Sequence, residues 1–386
     1  MRSPLKQPFH AGYEIPENIY VTRPSVPPFE EFAVLLREIW SSGHLTNNGP
    51  MHKRFERDLN NFFRVEHTTL FTNATIGLLA VLKGLGVTGE VITTPYSFVA
   101  TTHALVWNGI KPVFCDIDKT TMNIDPKKIE PLITENTKAI LAVHCYGTPC
   151  DIDSLEKIAQ KYNLKLIFDA AHSFGTTAKN LPIASAGNAS VFSFHATKVF
   201  QTLEGGAVTT VDESLKRSLE SYRNFGFTGE LTVDSIGING KMDEVRSALG
   251  ILQLRYFEDE IKKRRTVYET YTRQLAGIDG IKMPFEHNKI GPPGNYAYFP
   301  IIVENRYYLT RNELYDLLKR HGVNCRRYFY PLIPDFSVYR GMFNRSPLNI
   351  PIAREVSEQI ICLPMYSDLE APLIHLIAEL IRTPYA

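Results

Sequence analysis

Residues 166–208 read LIFDAAHSFGTTAKNLPIASAGNASVFSFHATKVFQTLEGGAV, and their pattern indicates the fold class. Three short runs within them, LIFDA, ASVFSF and GGAV, are apolar and contain several β-branched and aromatic residues. Runs of this kind are typical of strands that are buried on both faces. The sequence therefore predicts an α/β fold, with a mostly parallel sheet that lies between two layers of helices.

The same alternation of apolar runs and helical patterns continues upstream. The run LFTN at residues 70–73 is followed by the helical pattern TIGLLAVLKGL, and EVITTP at residues 90–95 is followed by another helical pattern. In such sheets, ligands bind beyond the carboxyl ends of the strands. We therefore expect the functional residues at that edge of the sheet.

The pattern changes after about residue 240, which indicates a second domain. A long charged helix over residues 243–275 precedes a strand, YFPIIV, and two further helices. The sequence predicts a large domain over residues 1–250, with an irregular N-terminal segment, and a smaller C-terminal α/β domain over residues 251–386.

Composition and charge exclude several classes of protein. Of the 386 residues, 44% are hydrophobic and 22% are charged, which excludes a disordered or collagen-like chain. Lysine and arginine total 42 and the acidic residues total 41, so the net charge is +1. This balance gives no general attraction to nucleic acids or anionic membranes, and we expect neither as a partner.

The chain has no sequence feature of a membrane or metal protein. No run reaches the roughly 18 apolar residues of a membrane helix, and the N-terminus lacks an apolar signal core. The five cysteines are scattered and lack the second Cys or His pair of a zinc site. We therefore expect a cytoplasmic protein without a disulfide framework and without a metal.

The first candidate functional residue is Asp169, which ends the run LIFD. A carboxylate at the end of a buried strand loses its hydration unless it is paired. Two interpretations stay open. Asp169 either caps the next helix, or it faces a cationic ligand such as a protonated pyridine nitrogen.

The second candidate is Lys198, which lies between two predicted strands and is flanked by Phe194, Val199 and Phe200. Most lysines are solvated at the surface, but these apolar neighbours would exclude water. Loss of water lowers the pKa of a lysine and frees its amine as a nucleophile. Schiff-base chemistry requires such an amine.

Asp169 and Lys198 both fall at strand ends, with one strand between them. A carboxylate for the pyridine nitrogen and a lysine for the Schiff base are the two protein groups that pyridoxal 5'-phosphate needs. The two residues together predict a site for this cofactor.

The phosphate and the ring of the cofactor also need partners. The backbone amides of Ala74, Thr75 and Ile76 would face a phosphate at the start of a helix, although an ordinary helix cap has the same sequence. Ser193 adds a hydroxyl donor. Phe98 follows a strand and offers a flat surface for the ring, although a phenylalanine is more often a core residue.

These motifs together resemble the sugar aminotransferases of the DegT/DnrJ/EryC1/StrS family. The resemblance covers nearly the whole chain, and the blocks DAAH and SFHATK are the most specific. It implies the fold-type-I architecture of aspartate aminotransferase-like enzymes, which depend on pyridoxal 5'-phosphate. The matching motifs are LTNNGPMHKRFE, FTNATIGLLAVL, TTPYSFVATTHAL, PVFCDID, HCYGTPCDID, FDAAHSFG, SFHATKVFQTLEGGAV and ICLPMYSDL.

The resemblance also implies individual roles. Lys198 would form the internal aldimine and move the proton between the donor and the cofactor, and Asp169 would hold the pyridine nitrogen. His172 would lie near the cofactor hydroxyl, and Phe98 would stack on the ring. Asn239, in the segment GINGKMD, would reach the phosphate in the partner subunit, which implies a homodimer with shared active sites.

The reaction that the resemblance implies is transfer of the amino group of L-glutamate to a keto group on a nucleotide-linked sugar. His195 and the segment Glu204-Gly205-Gly206 follow the pattern of members that act at C4. This favours dTDP-4-keto-6-deoxy-D-glucose as substrate and dTDP-4-amino-4,6-dideoxy-D-glucose as product, a sugar type used in surface polysaccharides such as the lipopolysaccharide O-antigen. Amination at C3 of a 3-keto sugar and formation of the 4-amino galactose epimer are the alternatives.

Several assignments stay open at the level of the sequence. His195 contacts the sugar or the cofactor, or it is a structural histidine. Arg326, Arg327 and Tyr328 meet the sugar pyrophosphate or the donor carboxylate, or the two arginines are surface charges. A sugar dehydratase is a further alternative, but such members of the family carry His in place of Lys198. The last alternative is a protein that binds the cofactor but catalyses no reaction.

Overall fold

The computed structural model of the protein describes residues 17–285, 294–342 and 349–383. Most of the predicted irregular N-terminal segment lies outside these residues. The helices are α1 (Phe29–Ser42), α2 (Pro50–Phe63), α3 (Ala74–Gly84), α4 (Ala100–Trp107), α5 (Ile152–Lys161), α6 (Glu213–Arg223), α7 (Glu244–Leu275), α8 (Arg311–Arg320), α9 (Pro351–Gln359) and α10 (Ala371–Arg382). The strands are β1 (His67–Phe71), β2 (Glu90–Thr93), β3 (Lys111–Phe114), β4 (Thr137–Val143), β5 (Lys165–Asp169), β6 (Thr177–Ala178), β7 (Leu181–Pro182), β8 (Ala189–Ser193), β9 (Gly206–Thr210), β10 (Ile281–Lys282), β11 (Phe299–Val303) and β12 (Ile360–Leu363).

A sheet of seven strands, in the order β1-β9-β8-β5-β4-β2-β3, forms the centre of the protein. The strands β8, β5, β4, β2 and β3 are parallel to one another, whereas β9 runs antiparallel to both β1 and β8. This arrangement confirms the predicted α/β fold with a mostly parallel sheet.

Helices cover both faces of this sheet, because side chains that alternate along each strand are apolar on both sides. Phe168 and Phe192 point towards the layer that contains α2, α5 and α7. Ile167 and Val191 point towards α3, α4 and α6 on the opposite side. Burial on both faces explains why the sequence of these strands is continuously apolar.

An aromatic cluster supports the turn that contains Lys198. Phe200 in this turn stacks on Phe174, with the ring centroids 4.0 Å apart and the planes 8° apart. Phe55 of α2 packs behind Phe200 at 6.1 Å between centroids. A Cβ atom at Gly250 of α7 would lie 2.3 Å from the Phe55 ring, so only glycine permits this approach of the two helices. The turn is therefore held by a closely packed core.

A second sheet, β10-β11-β12, is antiparallel and packs with α8, α10 and the C-terminal half of α7. The sequence predicts β11, α8 and α10, but not β12, which follows α9 directly without a turn signal. The helix α7 continues through residue 250, and the division of the chain into two domains at that point stays a prediction.

Within the residues that the structure describes, no helix is long and apolar enough to cross a membrane. The same residues contain no group of three or more His, Cys, Asp or Glu side chains that could hold a metal ion.

The N-terminus of α2 depends on a buried carboxylate of α7, which gives a stability prediction. Glu244 is 1% exposed and accepts hydrogen bonds from the amides of Met51 at 2.8 Å and His52 at 2.9 Å. Glu244→Ala leaves both amides without their partner, and we expect a loss of about 2–4 kcal/mol in the free energy of unfolding, measured in urea. Glu258→Ala, at an exposed site of the same helix, is the control and should change it by less than about 0.5 kcal/mol. Equal losses in both variants would contradict this role of Glu244.

Candidate active site

The predicted functional residues meet where neighbouring strands end. Asp169 ends β5 and Ser193 ends the adjacent parallel strand β8. Gly206 begins the antiparallel strand β9 and pairs with Ser193 on one side and with Phe71 at the end of β1 on the other. The carboxyl ends of the parallel strands and the start of α3 thus lie at the same edge of the sheet. Ligands are expected to bind at this edge in sheets of this type.

Asp169 is a buried carboxylate with two hydrogen-bond donors. The hydroxyl of Thr101 donates to Oδ2 at 2.7 Å, and the amide of Ala171 donates to Oδ1 at 3.1 Å. The carboxyl is 5% exposed, and burial raises its pKa, although both donors and the charge of Lys198 oppose the rise. A carboxylate in such surroundings is stabilised by a further cationic partner. The interpretation of Asp169 as a group that faces a cationic ligand is therefore favoured over a helix cap.

Lys198 lies in the turn between β8 and β9 and opens into a pocket. The described residues provide no hydrogen bond and no ion pair to its Nζ atom. Burial lowers the pKa of Lys198 to about 8, and the negative charge of Asp169 opposes this change. The amine therefore loses its proton much more easily than that of a solvated lysine. The residues that line the pocket are Ala171, His172, Phe174, Ser193, Thr197, Lys198, Val199, Asn295, Ala297 and Tyr298.

His172 lies in the wall of this pocket between two aromatic rings. Its ring is parallel to that of Phe329, with centroids 5.9 Å apart, and meets the edge of Tyr298 at 5.0 Å. Its Nδ1 atom is buried and has no hydrogen-bond partner among the described residues. Burial lowers the pKa of His172 well below its usual value, so the imidazole is neutral. A buried ring nitrogen of this kind is available to a polar atom of a ligand.

The start of α3 matches the predicted phosphate-binding site in part. Asn73 caps the helix, and its side chain accepts a hydrogen bond from the amide of Ile76 at 2.9 Å. The amide of Ile76 is therefore engaged, and those of Ala74 and Thr75 are left for a phosphate. A Cβ atom at Gly206 would lie 2.5 Å from the Ala74 nitrogen, so glycine is required for the helix start to approach Ser193.

Phe98 and Asn239 do not line the pocket of their own chain. The ring of Phe98 is 60% exposed and is adjacent in sequence to Ser97, whose hydroxyl lies 2.8 Å from that of Thr101. Asn239 is exposed on the segment between α6 and α7. The carbonyl of the next residue, Gly240, accepts a hydrogen bond from the amide of Thr72 at 2.8 Å. The roles of Phe98 and Asn239 stay predictions.

Three residues of the site were not identified from the sequence. Thr101 belongs to the segment PYSFVATTHA, in which no local pattern marks it as the donor to Asp169. Asn295 is 1% exposed and donates to the carbonyl of His172 at 2.7 Å and to that of Phe174 at 3.2 Å. This contact places Tyr298 beside His172. No sequence pattern identifies Asn295 or Tyr298, because both come from beyond α7.

The described residues fit pyridoxal 5'-phosphate. Asp169 is a buried carboxylate that a pyridinium nitrogen would neutralise, and Lys198 has a desolvated amine. The Nδ1 atom of His172 is without a partner, and Ser193 lies beside a helix start that only glycine at position 206 allows. Asp169 would therefore face the nitrogen of the cofactor, and Lys198 its aldehyde. His172 would face the hydroxyl, and Ser193 the phosphate.

Comparison with known proteins identifies the same family that the sequence motifs resemble. The model of the DegT/DnrJ/EryC1/StrS aminotransferase family matches residues 29–382. A dTDP-4-amino-4,6-dideoxy-D-glucose transaminase of Shigella dysenteriae is 46% identical over 364 residues, which cover 94% of this chain and 98% of the relative. A transaminase of the same name from Escherichia coli is 44% identical over 368 residues, which cover 95% of this chain and 98% of that protein.

A solved structure shares the fold over almost the entire length. The crystal structure of DesI in the presence of its TDP-sugar product has a TM-score of 0.89 and 33% sequence identity. The match covers 95% of this chain and 93% of that chain.

The environment of Lys198 predicts an unusual titration of its amine. With the cofactor removed, we expect Lys198 to react with an amine-acylating reagent with a midpoint near pH 8, because burial lowers its pKa to about 8. Peptide mass spectrometry measures the reaction at each lysine. Asp169→Asn should move the midpoint to lower pH, because the carboxylate of Asp169 raises the pKa of Lys198.

Exposed lysines in the same sample, such as Lys157, provide the internal control. A midpoint for Lys198 near that of an ordinary lysine, about 10.4, would contradict the desolvated environment.

Proposed function

Since the chain belongs to the DegT/DnrJ/EryC1/StrS aminotransferase family, we propose that it transfers the amino group of L-glutamate to C4 of dTDP-4-keto-6-deoxy-D-glucose. The product is dTDP-4-amino-4,6-dideoxy-D-glucose. The observation on which this proposal rests is the desolvated amine of Lys198 next to the buried carboxylate of Asp169, in a chain 46% identical to a transaminase named for this product. The presence of Lys198 also argues against a dehydratase.

The enzyme depends on pyridoxal 5'-phosphate. When bound, this cofactor supplies an electron sink that stabilises negative charge on the carbon that loses a proton. Asp169 would hold the pyridine nitrogen in its protonated form, because a cation there offsets the burial of the carboxylate. His172 would present its Nδ1 atom to the cofactor hydroxyl. Ser193 and the amides of Ala74 and Thr75 would bind the phosphate.

Lys198 moves the proton in this reaction. With a pKa of about 8, the amine is neutral in about a tenth of the molecules at pH 7. An amine with a pKa of about 10.4 would be neutral in only about one in 2,500 molecules. Burial of the amine in the pocket is the cause of this lowered pKa. The lowered pKa thus increases the population of the neutral amine by about two hundredfold.

The two sequence markers of C4 amination lie in contact with each other. His195 Nε2 is 3.6 Å from Glu204 Oε1, and His195 Nδ1 is 2.8 Å from the hydroxyl of Thr197. Both markers flank the turn that contains Lys198, and Thr197 lines the pocket. We place the hexose of the substrate beside this group of side chains.

We further propose a homodimer. The segment between α6 and α7 contains five exposed apolar side chains, with exposed fractions from 40% at Phe227 to 93% at Leu231. Exposed apolar groups that are closely spaced are typical of a protein interface. A second copy of this chain would cover them, and Asn239 of this segment would reach the phosphate site of that copy.

The proposed substrates are a sugar nucleotide and an amino acid, both of which are charged and water-soluble. We therefore place the reaction in the cytoplasm. The product is an activated amino sugar, and a glycosyltransferase that builds a surface polysaccharide, such as an O-antigen, would consume it.

Product analysis by NMR tests the reaction. The purified protein is incubated with pyridoxal 5'-phosphate and L-glutamate, and with dTDP-4-keto-6-deoxy-D-glucose or its 3-keto isomer. We expect an equatorial amine at C4 from the 4-keto sugar, identified by its coupling constants, and no product with Lys198→Ala. An amine formed only from the 3-keto isomer, or an axial amine at C4, would contradict the proposed substrate or product.

Complementation between inactive variants tests the shared site. Lys198→Ala and Asn239→Ala should each have little activity, because each lacks one part of every site. Hybrid dimers contain one intact site, in which Lys198 of one protomer meets Asn239 of the other. After co-expression of the two variants, we expect about a quarter of the wild-type activity, since half of the dimers are hybrids. Activity no greater than the average of the two variants would contradict a site shared between protomers.

A further inference from the structure

A row of aromatic side chains leads from the Lys198 pocket to Arg326. Tyr298 lines the pocket, and its ring packs edge-on against that of Tyr328, with centroids 5.9 Å apart and planes 89° apart. Burial raises the pKa of the Tyr328 hydroxyl, and the guanidinium of Arg326 beside this hydroxyl opposes the rise. Arg326 therefore lies at the end of this row, with Tyr328 and Tyr298 between it and the pocket.

The backbone of Arg326 is held firmly against the second sheet. Its amide donates to the carbonyl of Cys362 at 3.1 Å, and the amide of Cys362 donates to its carbonyl at 2.7 Å. Cys362 belongs to β12, whose four residues are all buried. The side chain of Arg326 is exposed, so this cation extends from a backbone that is fixed against β12.

Arg326 forms no ion pair with a carboxylate in the part of the chain that the structure describes. The neighbouring Arg327 is engaged, because it donates to Asn312 Oδ1 at 2.9 Å and lies 4.5 Å from the ring centroid of Tyr315. Arg311 is buried, and its guanidinium lies 4.4 Å from the ring centroid of Tyr330.

Arg311 and Arg327 lie close enough for their positive charges to interact. Burial and the positive charge of Arg327 lower the pKa of Arg311 to about 10, although the carboxylate of Glu358 opposes this change. An exposed cation that has no carboxylate partner attracts an anionic ligand. Of the three guanidinium groups, that of Arg326 is both exposed and close to the row of aromatic rings.

We propose that Arg326 binds the anionic group of a substrate at the mouth of the pocket. The group is the carboxylate of the amino donor or the diphosphate of the sugar nucleotide, and a guanidinium binds either through two parallel hydrogen bonds. This proposal rests on the proposed function, in which both substrates use the pocket in turn. Tyr298 and Tyr328 form the wall along which the bound substrate lies.

Steady-state kinetics of Arg326→Gln, with each substrate varied in turn, test this proposal. We expect a 10- to 100-fold rise in KM for the substrate whose anion Arg326 binds, with a much smaller change in kcat, as is typical for the loss of a charged hydrogen bond. Arg326→Lys should recover part of the loss. A rise for glutamate alone assigns the carboxylate, a rise for the sugar nucleotide alone assigns the diphosphate, and a rise for both assigns both anions in turn.

Arg320→Gln is the control for a change in net charge, because Arg320 is exposed on α8 and lies outside the row of aromatic rings. Calorimetric titration of the holoenzyme with the dTDP-amino sugar provides a readout that is independent of turnover. Unchanged KM values for both substrates in an active Arg326→Gln enzyme would overturn the proposal, as would a fall in kcat alone. Absence of transaminase activity in the wild-type protein would instead contradict the proposed function itself.

Discussion

The carboxylate of Asp169 at the end of β5 is the group on which the rest of the site depends. It is withdrawn from water, and its two oxygens are held by one hydroxyl and one amide. Its negative charge and the desolvated amine of Lys198 influence each other, since each opposes the pKa shift that burial causes in the other. A protonated pyridine ring between these groups would offset the cost of burying the carboxylate.

The remainder of the fold places other groups around this pair. The aromatic cluster behind the turn supports Lys198, and Gly206 allows the start of α3 to approach Ser193. Asn295 connects the second sheet to the carbonyl of His172 and so brings Tyr298 to the pocket. The active site therefore depends on contacts between segments that are far apart in the sequence, which explains why its walls come from both sheets.

The sequence predicted the parts of the site that depend on local pattern. Apolar runs that end at Asp169 and Ser193 identify strand ends, and phenylalanines on both sides of Lys198 indicate a desolvated amine. The hydrogen bond from Thr101, the engagement of the Ile76 amide by Asn73 and the position of Tyr298 were not predicted. The Ile76 contact depends on side-chain geometry at a helix start. The other two join segments that are far apart in the sequence, and no local periodicity corresponds to them.

In this description of the site, Lys198 is the residue that binds the cofactor beside Asp169. The most direct test of this role is reduction of the purified holoenzyme with borohydride, which fixes the cofactor covalently to the lysine that holds it, followed by peptide mass spectrometry. We expect the pyridoxyl group on the peptide that contains Lys198 and on no other. A label on a different lysine, or no label in a protein that has bound the cofactor, would contradict it.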